Sequence, residues 1–282
     1  MSNFLFVLCP PFSGSTVLWR LLTTSPSVST LPDEGQFLPS VVALMRGDPW
    51  NPDKQVRWAE VRAEWEKVWD CTKPVLLEKS PPNIVRAFEI EQHFDPCAFI
   101  SMIRNPYAFC EGHHRRLGSA METAARAWVE HASHQRRNID GLKRICHFSY
   151  EAFSDDPNAI CDRIRQFMPA LDQLDADTTF KAKAADGHRD RPIQNLNDRK
   201  INLLAASEIR RINAVLEEHQ DLMEFFEYAI INPADSAYRN RFQSEWRVRM
   251  TRWGQWIRRI PKQAALRAIR FRMHRKKKQA GA

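Results

Sequence analysis

The residues able to do chemistry fall in four short runs, each behind an apolar stretch. Phe12-Ser13-Gly14-Ser15-Thr16 is a small-residue turn that follows the apolar run from Phe4 to Leu8 and the pair Pro10-Pro11. Backbone N–H groups of such a turn, with the positive end of a helix behind them, converge on one spot and favour a phosphate there. Lys79 follows Pro74-Val75-Leu76-Leu77-Glu78, Arg104 follows the run from Cys97 to Ile103, and Tyr150-Glu151 follow the run from Arg144 to Phe148. Lysine binds phosphate as a point charge and arginine as a planar fork. No Asp follows these runs where the Mg²⁺-holding carboxylate of a nucleoside-triphosphate hydrolase would stand. An anion cradle with several cations and no metal ligand suits a donor whose phosphate is bound and not hydrolysed.

Spacing within the turn narrows the chemistry. An ATP-type phosphate loop reads G-x-x-x-x-G-K-[ST]. With Gly14 and Thr16 aligned to its last glycine and hydroxyl, Ser15 stands at the lysine and Cys9 at the first glycine. A nucleoside-triphosphate hydrolase is therefore disfavoured, and a nucleotide-dependent phosphotransferase is a runner-up weakened by the same missing lysine. The six cysteines, at 9, 71, 97, 110, 146 and 161, show no metal-ligand spacing. They read as free thiols of a reducing compartment, so a cytoplasmic location is expected and no metal is. The first apolar run lacks a basic leader and is too short to cross a bilayer, which makes it a strand and not a signal peptide.

The elements that must position these residues alternate. The runs at Phe4–Leu8, Pro74–Glu78, Cys97–Ile103 and Arg144–Phe148 have the length and content of buried strands. Helical spacing follows each: Val17 to Leu22, Asn83 to about Phe94, Pro106 to Arg116, and Asn158 to Met168 behind a Ser154-Asp155-Asp156-Pro157 cap. Further helices are expected after Asp33-Glu34, over Gln55–Trp69, over Ser119–Arg137 and over Ala205–Tyr228. Ser25–Pro32 and Asp172–Asn197 read as loops. Short buried strands alternating with helices argue for a parallel α/β sheet covered on both faces, whose carboxyl ends gather the four chemical runs into one crevice.

With these runs in order, the chain resembles the sulfotransferases that use 3′-phosphoadenosine 5′-phosphosulfate (PAPS), nearest their bacterial-type and tyrosylprotein branch. The resemblance covers roughly residues 3–230. It is carried by a strand into P-x-S-G-S-T, then D-E-G-Q-F-L-P, E-K-S-P, a strand into I-R-N-P, and S-Y-E followed by D-P. It implies a phosphate-loop type of parallel sheet flanked by helices. It also implies that Ser13, Gly14, Ser15 and Thr16 hold the 5′-phosphosulfate, Arg104 the 3′-phosphate, and Arg116 and Tyr150 further parts of the nucleotide. Lys79 is implied beside the transferring group, and Glu34 as the general base that takes the proton of an acceptor hydroxyl. The acceptor would sit on a glycan, a lipid-linked saccharide or another small molecule. Its shape would be set by Gly35–Trp69, the helix around Trp128 and the 172–197 loop. Two positions depart from the family pattern: Phe12 stands where the loop carries Arg or Lys, and Gly112 where a Ser follows the Arg of the 3′-phosphate site. Arg20, His113, His114 and Arg115 are nearby candidates for the missing charge. The departures keep open a sulfotransferase-fold protein that binds ligand or membrane without turnover.

The formal net charge of +8 conceals an asymmetry. Residues 239–282 carry 15 Lys and Arg against one acid, Glu245, whereas residues 1–238 carry 27 basic and 33 acidic residues. The expected organisation is one α/β domain over 1–238 and a basic helical extension over 239–282. Trp246, Met250, Trp253 and Ile257 lie at helical spacing in that extension, with arginines between them. This is the pattern of a helix lying on an anionic membrane surface, here the inner face. Nothing in the body resembles a nucleic-acid module, so the charge alone does not argue for nucleic acid.

Overall fold

The computed structural model describes residues 2–184 and 187–234. The basic extension over 239–282, and with it the boundary at 238, lies outside the described residues. Five parallel strands form the central sheet: β1 (Asn3–Leu8), β2 (Val28–Thr30), β3 (Val75–Glu78), β4 (Cys97–Ile103) and β5 (Ile145–Ser149), in the order β2-β3-β1-β4-β5. β1 pairs with β3 on one side and with β4 on the other. The order reverses beside β1, which opens a crevice beyond the carboxyl ends of β1 and β4.

Alternation along β1 separates two layers of core, because successive side chains leave a strand on opposite faces. Leu5 and Val7 pack with Leu18, Leu21 and Leu22 of α1 (Ser15–Leu22) and, further on, with the apolar side of a later helix at Ile160 and Ile164. Phe4, Phe6 and Leu8 face Trp58, Val61, Trp65 and Phe94. After α2 (Val42–Met45), two helices make this second layer: α3 (Trp58–Glu66) and α4 (Ala87–His93). A third cluster joins α5 (Pro106–Leu117) and α6 (Met121–Gly141) through Tyr107, Phe109, Ala124 and Trp128. α6 also pins the business end of the sheet: Gln135 Nε2 donates to the carbonyls of Leu8 (2.7 Å) and Met102 (3.3 Å). After β5 the chain forms α7 (Tyr150–Asp155), α8 (Pro157–Phe167), the antiparallel pair β6 (Phe180–Ala184) and β7 (Gly187–Arg191), α9 (Asn197–Ile201), α10 (Ala206–Leu216) and α11 (Gln220–Phe225).

Four sequence expectations change. The loop over Ser25–Pro32 contains the edge strand β2. The helix expected after Asp33-Glu34 is a 3-10 turn over Gly35–Phe37 and then the short α2. Pro39 separates them, because it cannot donate a backbone N–H and holds Leu38 extended at φ −57°, ψ 129°. The helix expected from Asn83 begins as a 3-10 turn at Pro81. The loop over Asp172–Asn197 contains the hairpin β6–β7, and the segment after β7 lines the crevice. No helix among the described residues is long and apolar enough to cross a membrane.

Candidate active site

The turn between β1 and α1 is built on two left-handed residues. Gly14 adopts φ 96°, and a Cβ there would lie 2.7 Å from the Tyr150 ring, so backbone and ring are in direct contact. Phe12 adopts φ 65°, a region that costs a bulky residue free energy. Its ring is held by Phe109 and His113, at centroid distances of 6.1 and 5.6 Å. This conformation turns the Phe12 carbonyl toward Arg104, whose Nη1 donates to it at 3.3 Å. Ser13 is fully buried beneath the turn.

Arg104 leaves the end of β4 and is only 4% exposed. Its Nε donates to Asn197 Oδ1 at 2.7 Å, and its guanidinium lies 3.9 Å over the Tyr150 ring. Its Nη2 is buried without a hydrogen-bond partner. Burial lowers its pKa from the ordinary value, and Tyr150 and Glu151 oppose that shift. Tyr150 is fixed in turn by donating to the Gln194 carbonyl at 3.0 Å. Glu151 is a clamp: it accepts from the Asn105 N–H (3.0 Å), from Asn197 Nδ2 and from the Tyr228 hydroxyl (2.7 Å). The Asn-Pro pair after Arg104 starts α5. Asn105 Oδ1 accepts from the N–H groups of Tyr107 and Ala108, and Pro106 occupies the first turn where no donor is needed.

On the other side of the turn, Lys79 Nζ donates to Glu34 Oε1 at 3.0 Å, with both side chains largely buried. Gln36 Nε2 donates to Glu34 Oε2 at 2.6 Å, and Arg46 Nη1 to Gln36 Oε1 at 3.3 Å. The pair is held from below by Glu78, the first residue of E-K-S-P. Its carboxylate accepts from the Gly35 N–H (2.8 Å), from Ser80 Oγ (2.5 Å) and from Asn83 Nδ2, while Ser80 Oγ accepts from the Gln36 N–H (3.2 Å). Burial pushes the Glu78 carboxyl up to about 6 against these hydrogen bonds.

A cavity of about 480 Å³ opens at the crevice. Phe12, Gly14, Ser15 and Thr16 line its floor, with Arg104, Gly112, Arg116, Tyr150 and Glu34 around them. A second cavity of about 610 Å³ shares Thr16, Glu34 and Arg116 with the first and adds Lys79, Trp19 and Arg20. The sequence-derived residues thus come together, with Ser13 beneath the surface of the site. Trp128, expected to shape the acceptor pocket, is core: it is fully buried and donates to the Arg104 carbonyl at 2.8 Å. His113 and His114 bond Ser119 through Nδ1, at 2.7 and 2.5 Å, and His113 keeps its ring against Phe12. Arg115 lines the first cavity and pairs with Glu111 at 3.0 Å, and Arg20 lines the second. The 172–197 loop, expected to shape the acceptor pocket, gives Arg191, Pro192, Ile193, Gln194 and Leu196 to the first cavity. Sequence reasoning missed Lys200 on α9, which lines the same cavity and carries no local motif that would have found it. Among the described residues no cluster of His, Cys, Asp or Glu could hold a metal ion.

Residues 5–170, more than half of the chain, match the Sulfotransferase family. The chain belongs to that family. The span runs from β1 to just beyond α8, so it takes in the turn, Glu34, Lys79, Arg104 and Tyr150, and leaves α9 outside. The sulfotransferase fold is seen again in the sulfotransferase domain of the olefin synthase of Synechococcus PCC 7002. That domain superposes with a TM-score of 0.52 at 20% identity, over 82% of this chain and 96% of the other. The sulfotransferase domain from the curacin biosynthetic pathway superposes with a TM-score of 0.50 at 16% identity, over 82% and 99%. No curated protein matches this sulfotransferase.

Proposed function

We propose that this sulfotransferase transfers a sulfuryl group from PAPS to an acceptor hydroxyl. The observation that carries the donor is Arg104. Arg104 lines a cavity whose floor is the small-residue turn, and its Nη2 is a buried donor without a partner. A buried donor without a partner is costly, and a phosphate oxygen would satisfy it. The turn over Ser13–Thr16 and the start of α1 would hold the 5′ end of the nucleotide, and Arg104 with Arg116 the 3′-phosphate. Bound there, PAPS supplies an activated sulfuryl group whose S–O bond to phosphate is the bond broken.

The chain's own residues then divide the work. Glu34 takes the proton of the acceptor hydroxyl as its oxygen bonds to sulfur. Lys79 donates a hydrogen bond where negative charge develops on the departing phosphate oxygen. Pre-set donors of this kind act without reorganisation, and the protein mainly positions the partners. Gln36 and the Glu78 network keep Glu34 and Lys79 in register before any ligand arrives.

Incubation with radiolabelled PAPS and a panel of hydroxyl acceptors tests this. Transfer is expected from the wild type, and Glu34→Gln lowers turnover by about 10²–10⁴-fold while the desulfated product still binds. A wild type that binds neither PAPS nor its desulfated product overturns the reading. Phe12, at a position where a cation is expected, favours a second reading as a binding protein without turnover. Nucleotide binding with no transfer to any acceptor would support that one.

A further inference from the structure

The two departures from the family pattern meet in space. A Cβ built on Gly112 would lie 3.3 Å from Phe12 Cβ and 3.0 Å from Lys200 Nζ. Lys200 reaches this point from α9, which packs along α5. A side chain at 112 would thus crowd the ammonium and the Phe12 Cβ, and one of them would have to give. The missing side chain at 112 and the apolar one at 12 leave an apolar slot, and a lysine from a distant element fills it. Its Nζ makes a single long hydrogen bond, 3.4 Å to the Ala108 carbonyl, and no ion pair among the described residues. Arg104 beyond β4 and Arg115 and Arg116 on α5 surround it with like charge. The nearby carboxylate, Glu111 on α5, has one oxygen on Arg115 Nε. His113 on α5 faces Ser119, and Asp198 and Arg199 on α9 itself are exposed.

We propose, on the PAPS reading above, that Lys200 supplies the phosphate-binding charge absent at position 12, and that Phe12 and Gly112 are the shape change that admits it. Lys200 and Arg104 line the same cavity, and Arg104 Nη2 lacks a partner, so one phosphate group would answer both side chains. Burial and the neighbouring guanidiniums push Lys200 down to about 7. An anion raises it again, so binding takes up a proton above that pH. Nucleotide affinity should therefore fall as pH rises through about 7. The second ionisation of a phosphate monoester, near 6, acts below that window.

Calorimetry with 3′-phosphoadenosine 5′-phosphate tests the assignment. Lys200→Met is expected to weaken binding by about 10- to 100-fold, the loss of one charge-assisted hydrogen bond. Lys200→Arg, which stays charged, keeps the affinity and abolishes its fall with pH. Adding Phe12→Lys to Lys200→Met restores binding, because it returns the charge to the turn. Wild-type binding that Lys200→Met leaves unchanged overturns the role of Lys200 and spares the donor reading. A wild type that does not bind the nucleotide overturns the donor reading itself.

Discussion

The two flanks of the crevice are built on opposite principles. On the β3 side, Glu34, Gln36, Lys79, Glu78 and Ser80 form a closed network bonded to one another and to the 35–36 backbone. On the β4 side, Arg104 Nη2 is a donor buried without a partner, and Lys200 lies among guanidiniums. A network satisfied before ligand arrives is suited to holding a reaction geometry. An incomplete one is suited to being completed by an anion. The β3 flank should therefore report on turnover and the β4 flank on affinity.

The largest expected effect breaks that division if it falls on the wrong quantity. Lys79→Ala removes the donor proposed to face the departing oxygen, so kcat should drop by about 10²–10³-fold, as for loss of one pre-set oxyanion donor. Affinity for 3′-phosphoadenosine 5′-phosphate should hardly change. Steady-state kinetics beside calorimetry separates the two, and a variant that loses binding instead would merge the flanks into one phosphate site.

Arg104→Ala should do the reverse on a smaller scale. It removes a charged donor that also spans Asn197, the Phe12 carbonyl and the Tyr150 ring. Nucleotide affinity is expected to fall by about 10- to 100-fold, with kcat at saturating donor nearly kept. A collapse of kcat with intact binding would place Arg104 among the reacting groups.

How far the sequence disclosed these flanks follows from where the information lies. β1 and β4 are buried on both faces and read as unbroken apolar runs, which made the sheet visible. Ser154-Asp155-Asp156-Pro157 announced α8 because a cap is local chemistry, and Asp156 does accept from the Ala159 N–H. β2 stayed hidden because a three-residue, half-buried edge strand has almost no pattern. The turn at Gly35–Phe37 stayed hidden because its backbone is held by Glu78 and Ser80, far along the chain. α9 has five residues and no apolar period, so Lys200 read as one more charge in a polar stretch. Phe12 and Gly112 could be recognised as departures, but that they and Lys200 are neighbours shows only in the folded chain.

The smallest effect tests how the β3 flank is held. Glu78 has an ordinary pKa of 4.5 and is pushed up to about 6 by burial. A carboxyl raised in the folded state binds its proton more tightly than in the unfolded chain. Its contribution to stability is thus full below 4.5 and is lost as pH rises through about 6. The difference amounts to about 2 kcal/mol. Glu78→Gln cannot ionise, so its unfolding free energy should lack this decline. Its amide oxygen can still accept from the Gly35 N–H or from Ser80, so Glu34 and Lys79 should stay in place and turnover should change only modestly. Denaturant unfolding of both proteins on either side of that window is the measurement. Parallel profiles would mean that another group titrates there. A flattened profile with turnover retained would mean that the fixed geometry of this flank comes from the hydrogen bonds, and that the buried charge itself is a cost the fold carries at neutral pH.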